Sequence, residues 1–143
     1  MKLEWAIPCL SVESRGPLLD MIGVGWDQLL SPVYPANFNV GLVLRFVFEP
    51  NEQDAFAVQI RILSVDTGVD VAGPIAAETS PPPRPATWQP GDSILATHLA
   101  VGLGGLPLPS PGHYRMSLVV AGEELASVPF LALVGTAPSV AIK

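Results

Sequence analysis

From Val40 to Phe48 every second residue is large and apolar: Val40, Leu42, Leu44, Phe46 and Phe48 alternate without a miss, while Val43 and Val47 leave the opposite face partly apolar too. A helix would scatter these side chains around its circumference, whereas an extended chain points alternate residues to one side. The segment predicts a strand with apolar residues on both faces, and therefore a central one. Phe56, Val58, Ile60 and Ile62 repeat the period, so a strand over 55–65 is expected to return antiparallel beside it. Tyr114, Met116, Leu118 and Val120 repeat it again inside the run from Pro107 to Val134. There Ala121-Gly122-Glu123-Glu124 supplies a polar reversal into a last strand over 125–134, which makes a hairpin. Pro129 cannot donate to a ladder, so that last strand is expected at an edge or with a bulge near the proline.

Sixteen prolines and thirteen glycines in 143 residues would interrupt helices repeatedly, but they punctuate strands well. Lys2 to Leu10 predicts a first strand with Leu3, Trp5 and Ile7 on one face and an edge or break at Pro8. Leu18 to Trp26 predicts another, with Gly23 and Gly25 marking a bulge or a close backbone approach. Asp27 to Asn39 reads as a connection, Val69 to Thr79 as a weak strand broken by Gly73-Pro74, and Ser80 to Pro90 as an extended proline-rich connection. In a strand over 94–101, Leu95, Leu99 and Val101 share one face and His98 takes the other; Gly102 to Pro109 reads as a loop. The expected fold is all-β: a two-layer antiparallel β-sandwich, immunoglobulin-like, of about seven to nine strands. It forms one domain over 1–134, followed by a tail over 135–143.

A net charge of −6 sets up a field that repels phosphate backbones and anionic headgroups, so neither nucleic acid nor a membrane surface is an expected partner. Cys9 is the only cysteine, which excludes an intrachain disulfide and suits a small packed hydrophobe. Glu4 and Pro8 interrupt what a secretory leader would need as an apolar segment, and a cytoplasmic setting is the expectation.

The one motif with catalytic overtones is Asp66-Thr67-Gly68 after an apolar strand, with Leu133-Val134-Gly135 as a weak second element. Together they resemble the elements of retropepsin-like aspartic proteases, whose two carboxylates share a proton, so a chain with one triplet would have to dimerise about Asp66. The same triplet is ordinary turn chemistry, with Asp bonding its own backbone and Gly accepting positive φ. His98 and His113 have no ligand partner at metal spacing, and Gly102-Leu103-Gly104-Gly105 has no lysine to make it a phosphate loop. No cofactor or metal is expected. Pro82 and Pro85 match a PxxP spacing beside Arg84. Trp26, Tyr34 and Trp88 in connections could stack on a small ligand or carbohydrate. Apolar residues on the second strand faces, Val43, Val47, Val119, Leu131 and Leu133, point to a non-enzymatic module that contacts itself or another protein; the alternative is that loops cover them.

The opening KLEWAIPC, the LLDMIGVGWDQL segment and the closing PLPSPGHYRMSLVVAGEELASVPF together resemble an uncharacterised family of small bacterial β-sandwich domains, over Lys2 to Val134. That resemblance implies the fold and carries no activity, cofactor or catalytic residue. It sets Asp66 at a polar hairpin turn and leaves Gly135 to Lys143 outside the match.

Overall fold

The computed structural model describes residues 1–15, 18–84 and 95–136, and within them every regular element is a strand. The alternating run becomes the second half of β5 (Ala36–Phe48), paired antiparallel with β1 (Lys2–Cys9) on one side and β8 (Leu95–Leu108) on the other. All five alternating side chains are buried, Leu42 and Leu44 completely. A second sheet of five strands runs in the order β4 (Gln28–Ser31), β10 (Glu123–Val134), β9 (Gly112–Val120), β6 (Phe56–Ser64), β7 (Ile75–Thr79). A third, two-stranded piece is the hairpin of β2 (Ser11–Arg15) and β3 (Leu18–Ile22). One buried cluster draws on both larger sheets: Val40, Leu42, Leu44 and Phe46 from β5, Val101, Leu103 and Leu106 from β8, Val58, Ile60 and Ile62 from β6, Tyr114, Met116 and Leu118 from β9, and Phe130 and Ala132 from β10. The protein is thus all-β with several sheets around a common apolar interior, as a β-sandwich requires.

The ten strands among the described residues exceed the seven to nine that the periodicity suggests. Part of the excess is β4, four residues inside the expected 27–39 connection, too short to carry a readable period; it pairs parallel to β10 from Gln28 with Leu131 to Ser31 with Val134. The rest is β2, which follows β1 after the single residue Leu10 and pairs with β3, the start of the expected 18–26 strand.

Four further expectations are corrected. The strand over 55–65 does not lie beside β5: β6 pairs with β7 and β9, because the segment after Phe48 carries the chain into the other sheet. Alternation says which side chains are buried, not which strand is next door. The 102–109 segment is not a loop. Two residues, Gly104 and Gly105, stand opposite the irregularity at Asn39 of β5, Gly105 takes a φ of 67°, and its N–H donates to Asn39 Oδ1 at 3.0 Å, so the ladder resumes at Leu106. In β1 a register shift between Leu3 and Trp5 turns Leu3 and Ala6 to the core and leaves Trp5 and Ile7 opposite Arg45 and Val43, so Leu3, Trp5 and Ile7 do not share a face. The strand expected over 18–26 stops at Ile22: Gly23 and Gly25 sit in a turn at positive φ, where a methyl on Gly23 would overlap the Leu10 side chain while Gly25 has open space around it.

Pro129 is accommodated in a way that combines edge and interior. The N–H of Leu131 donates to Asp27 O at 2.8 Å on the β4 side, and the two-residue period sets the Pro129 nitrogen on that same side. Pairing with β4 begins only at Leu131, so the proline interrupts no ladder; the bulge of β10 lies between Glu124 and Ala126 instead. Ala121 and Gly122 both take positive φ, 51° and 82°, the signature of the tight hairpin turn that matches strand twist, and Glu123 and Glu124 already belong to β10.

Candidate functional site

Asp66 sits in the exposed turn between β6 and the isolated bridge of Leu63 with Asp70. The turn is closed by Gly68 N–H donating to Ser64 O at 2.8 Å, with Gly68 at a φ of 72°. Asp66 Oδ2 accepts the backbone N–H of His113 at 3.5 Å, and Val65 N–H donates to His113 O at 2.9 Å, so the triplet fastens this turn to the start of β9. Leu133, Val134 and Gly135 end β10 alongside β4, where Gly135 N–H donates to Ser31 O at 3.0 Å.

Trp26 and Tyr34 have their polar ends committed to main chain. Trp26 Nε1–H donates to Cys9 O at 3.0 Å while its ring meets Phe130 edge-on at 5.4 Å; Tyr34 O–H donates to Leu133 O at 2.8 Å. Burial and the nearby Tyr114 push the Tyr34 phenol up from its ordinary range. Trp26 lines a shallow groove of about 320 Å³ with Leu10, Leu29, Phe38 and Val40. Two amides also line it, Gln28 and Asn39, and the Asn39 Oδ1 accepts the Gly105 N–H at 3.0 Å. Trp88 and Pro85 lie outside the described residues. His113 is exposed on β9, and His98 is exposed on β8, where its Nε2 lies 3.2 Å from an Arg45 guanidinium nitrogen and its ring 5.5 Å from that of Trp5. Arg45 also pairs with Glu4. No cluster of three metal-ligating side chains forms among the described residues, and no helix there is long and apolar enough to cross a membrane.

The apolar residues on the second strand faces are less open than their pattern suggests. Val43 is fully buried, and Val47, Val119, Leu131 and Leu133 are half-buried. Of the eight exposed large apolar residues among the described ones, four are Val33, Val65, Val69 and Val134; the other four lie on the small hairpin and its base, Leu18 and Ile22 at 61% exposure each with Val24 and Leu10. Leu10 N–H donates to Ile22 O at 2.8 Å, which brings two of them together. The polar face of the same ribbon is held by Arg15 donating to Asp20 at 2.9 Å. Sequence reasoning anticipated β3 within the expected 18–26 strand but missed β2, because in SVESR only Val12 is apolar and no period can be read from it.

The fold is that of an all-β domain with several sheets around one apolar interior, consistent with a β-sandwich. The chain belongs to a family of unknown function, DUF6941, whose model matches residues 4–132. It matches no curated protein.

Proposed function

We propose that this chain is a non-enzymatic, self-associating interaction module built as a two-layer, immunoglobulin-like sandwich. Three features support the layering. The buried cluster takes side chains from both larger sheets. Strand β4 runs parallel to β10 at one edge of the five-stranded sheet, while β1 of the same N-terminal segment joins the opposite sheet. Tyr114 opens β9 with its hydroxyl donating to Ser110 O at 2.6 Å, the corner that precedes the corresponding strand in immunoglobulin-like domains. Met116, two residues on, occupies the place of the second disulfide cysteine of antibody domains and is completely buried, so apolar packing closes this sandwich.

The observation that carries the functional reading is the apolar hairpin. An isolated two-stranded ribbon is marginally stable in water, and this one exposes Leu18 and Ile22 besides. Sedimentation velocity from about 1 μM to 1 mM spans weak to moderate association. The weight-average mass is expected to rise above the 15.0 kDa of one chain. A single-chain mass at every concentration would refute the reading.

A further inference from the structure

Beyond that reading, we infer that the outer face of the three-stranded sheet carries a binding site for a neutral sugar, built from Trp5, Arg45, His98 and Glu4.

Three of these side chains form one row across the sheet: Trp5 of β1 is paired with Arg45 of β5, and Arg45 with His98 of β8. Glu4 is the extra residue of the β1 irregularity, between Leu3 opposite Phe46 and Trp5 opposite Arg45, and its carboxylate accepts Arg45 Nε–H. A bulge breaks a ladder and re-aims a side chain, and this one aims a carboxylate at the centre of the row. Arg45 is held on its other side too, with a terminal guanidinium nitrogen 3.2 Å from His98 Nε2. Arginine can only donate, so Nε2 accepts and the ring N–H lies on Nδ1. The Trp5 and His98 rings meet across Arg45, 5.5 Å apart and tilted by 45°.

The chemistry of the ligand follows from what the cluster has left to offer. Glu4 balances the charge of Arg45, and Lys2, on the same face, stands a row away opposite Val47. A phosphate or carboxylate would have to compete with Glu4 for the guanidinium, and an ammonium with Arg45 for Glu4. A neutral ligand displaces neither. Trp26 commits its indole N–H to Cys9 O, whereas that of Trp5 has no acceptor among the described residues. No buried side-chain polar atom there lacks a partner, so the Trp5 N–H is open to water. This donor, the Nδ1–H of His98 and the second oxygen of Glu4 lie around an aromatic surface. A pyranose is the complement of that pattern, with an apolar C–H face and a rim of hydroxyls that donate and accept. Ala96 and Ala100, beside His98 on the same face, are too small to cover it.

The test follows the indole N–H signals of Trp5 and Trp26 by nuclear magnetic resonance in isotope-labelled protein, assigned from Trp5→Phe and Trp26→Phe. Glucose, galactose, mannose, xylose and N-acetylglucosamine are each added to about 50 mM, which covers the millimolar range of affinity. The Trp5 signal is expected to move saturably with at least one of them while that of Trp26 stays in place. His98 and Glu4 are exposed, so the fold tolerates their truncation, with circular dichroism melts as the check. His98→Ala and Glu4→Ala are each expected to weaken binding of that sugar about fivefold, the effect of one hydrogen bond. Glu4→Ala also frees the guanidinium, so glucuronate should gain on the neutral sugar in this variant alone. No movement at Trp5 with any of the sugars, movement at Trp26 instead, or undiminished binding by both variants would overturn the assignment. Glucosamine or glucuronate binding wild type more tightly than every neutral sugar would overturn it as well, because the site would then be reading charge.

Discussion

Ala121 holds a left-handed conformation, φ 51°, that a residue with a Cβ adopts at a cost of about 1–2 kcal/mol. The hairpin demands it: β9 and β10 meet through two residues, and both turn types that match the strand twist need positive φ at the first of them. Asparagine tolerates that region, so Ala121→Asn should stabilise the protein by roughly 0.5–1 kcal/mol, read as a higher urea midpoint at unchanged slope. Glu52 provides a pH-dependent contribution. Its carboxylate accepts the amino group of Met1 and, at 2.7 Å, the N–H of Glu49, and the hydrogen bond from the amino terminus holds it below the ordinary glutamate range. A depressed folded-state value means stability that is fully present above the unfolded value and lost as pH falls through the folded one. Glu52→Gln should therefore flatten the acid limb of the stability curve below the ordinary glutamate pKa and leave the shape above neutrality unchanged. Cys9, fully buried, has its thiol pushed up by desolvation, which suits a packing residue and not a nucleophile.

Strand β8 illustrates how a single backbone choice decides an element. With Gly105 at positive φ, two residues fit opposite the irregularity at Asn39, and the ladder continues so that Leu106 and Leu108 reach the core. Gly105→Ala should cost about 1–2 kcal/mol even though nothing lies within 4 Å of the added methyl, because the penalty is conformational. Gly104→Ala, equally open but without that φ, should stay within about 0.5 kcal/mol. Equilibrium denaturation of the pair separates backbone strain from crowding. The β9–β10 hairpin was legible because its alternation is long and its turn residues are polar. The bulge in β8 was not, since Gly-Leu-Gly-Gly reads as a loop until its partner strand is known.

At the scale of the molecule, the common core and the small ribbon should differ in stability. Leu42, Leu44, Ile60, Ile62 and Met116 are completely buried in one cluster, so the two larger sheets should unfold together. The β2–β3 hairpin rests on few contacts with the rest and buries none of its own residues completely. Native-state hydrogen exchange at low protein concentration should accordingly find its amides opening well below the global unfolding free energy, with β5, β6 and β9 opening only globally. Uniform protection across the hairpin and the core strands would show the ribbon to be part of the same cooperative unit.

The period of the apolar side chains was enough, on its own, to establish that strands enclose the interior and that Val40–Phe48 belongs to the central strand of a sheet. Residue types marked Asp66-Thr67-Gly68 as a turn, and Gly68 takes the positive φ expected there, but the Asp66 carboxylate accepts the distant His113 N–H and not its own turn's backbone. Partners were decided only by the tertiary structure. Alternation constrains a side chain's face and is blind to which ladder receives the backbone, so the passage of β6 into the second sheet and the parallel docking of β4 depend on contacts between residues far apart in the chain.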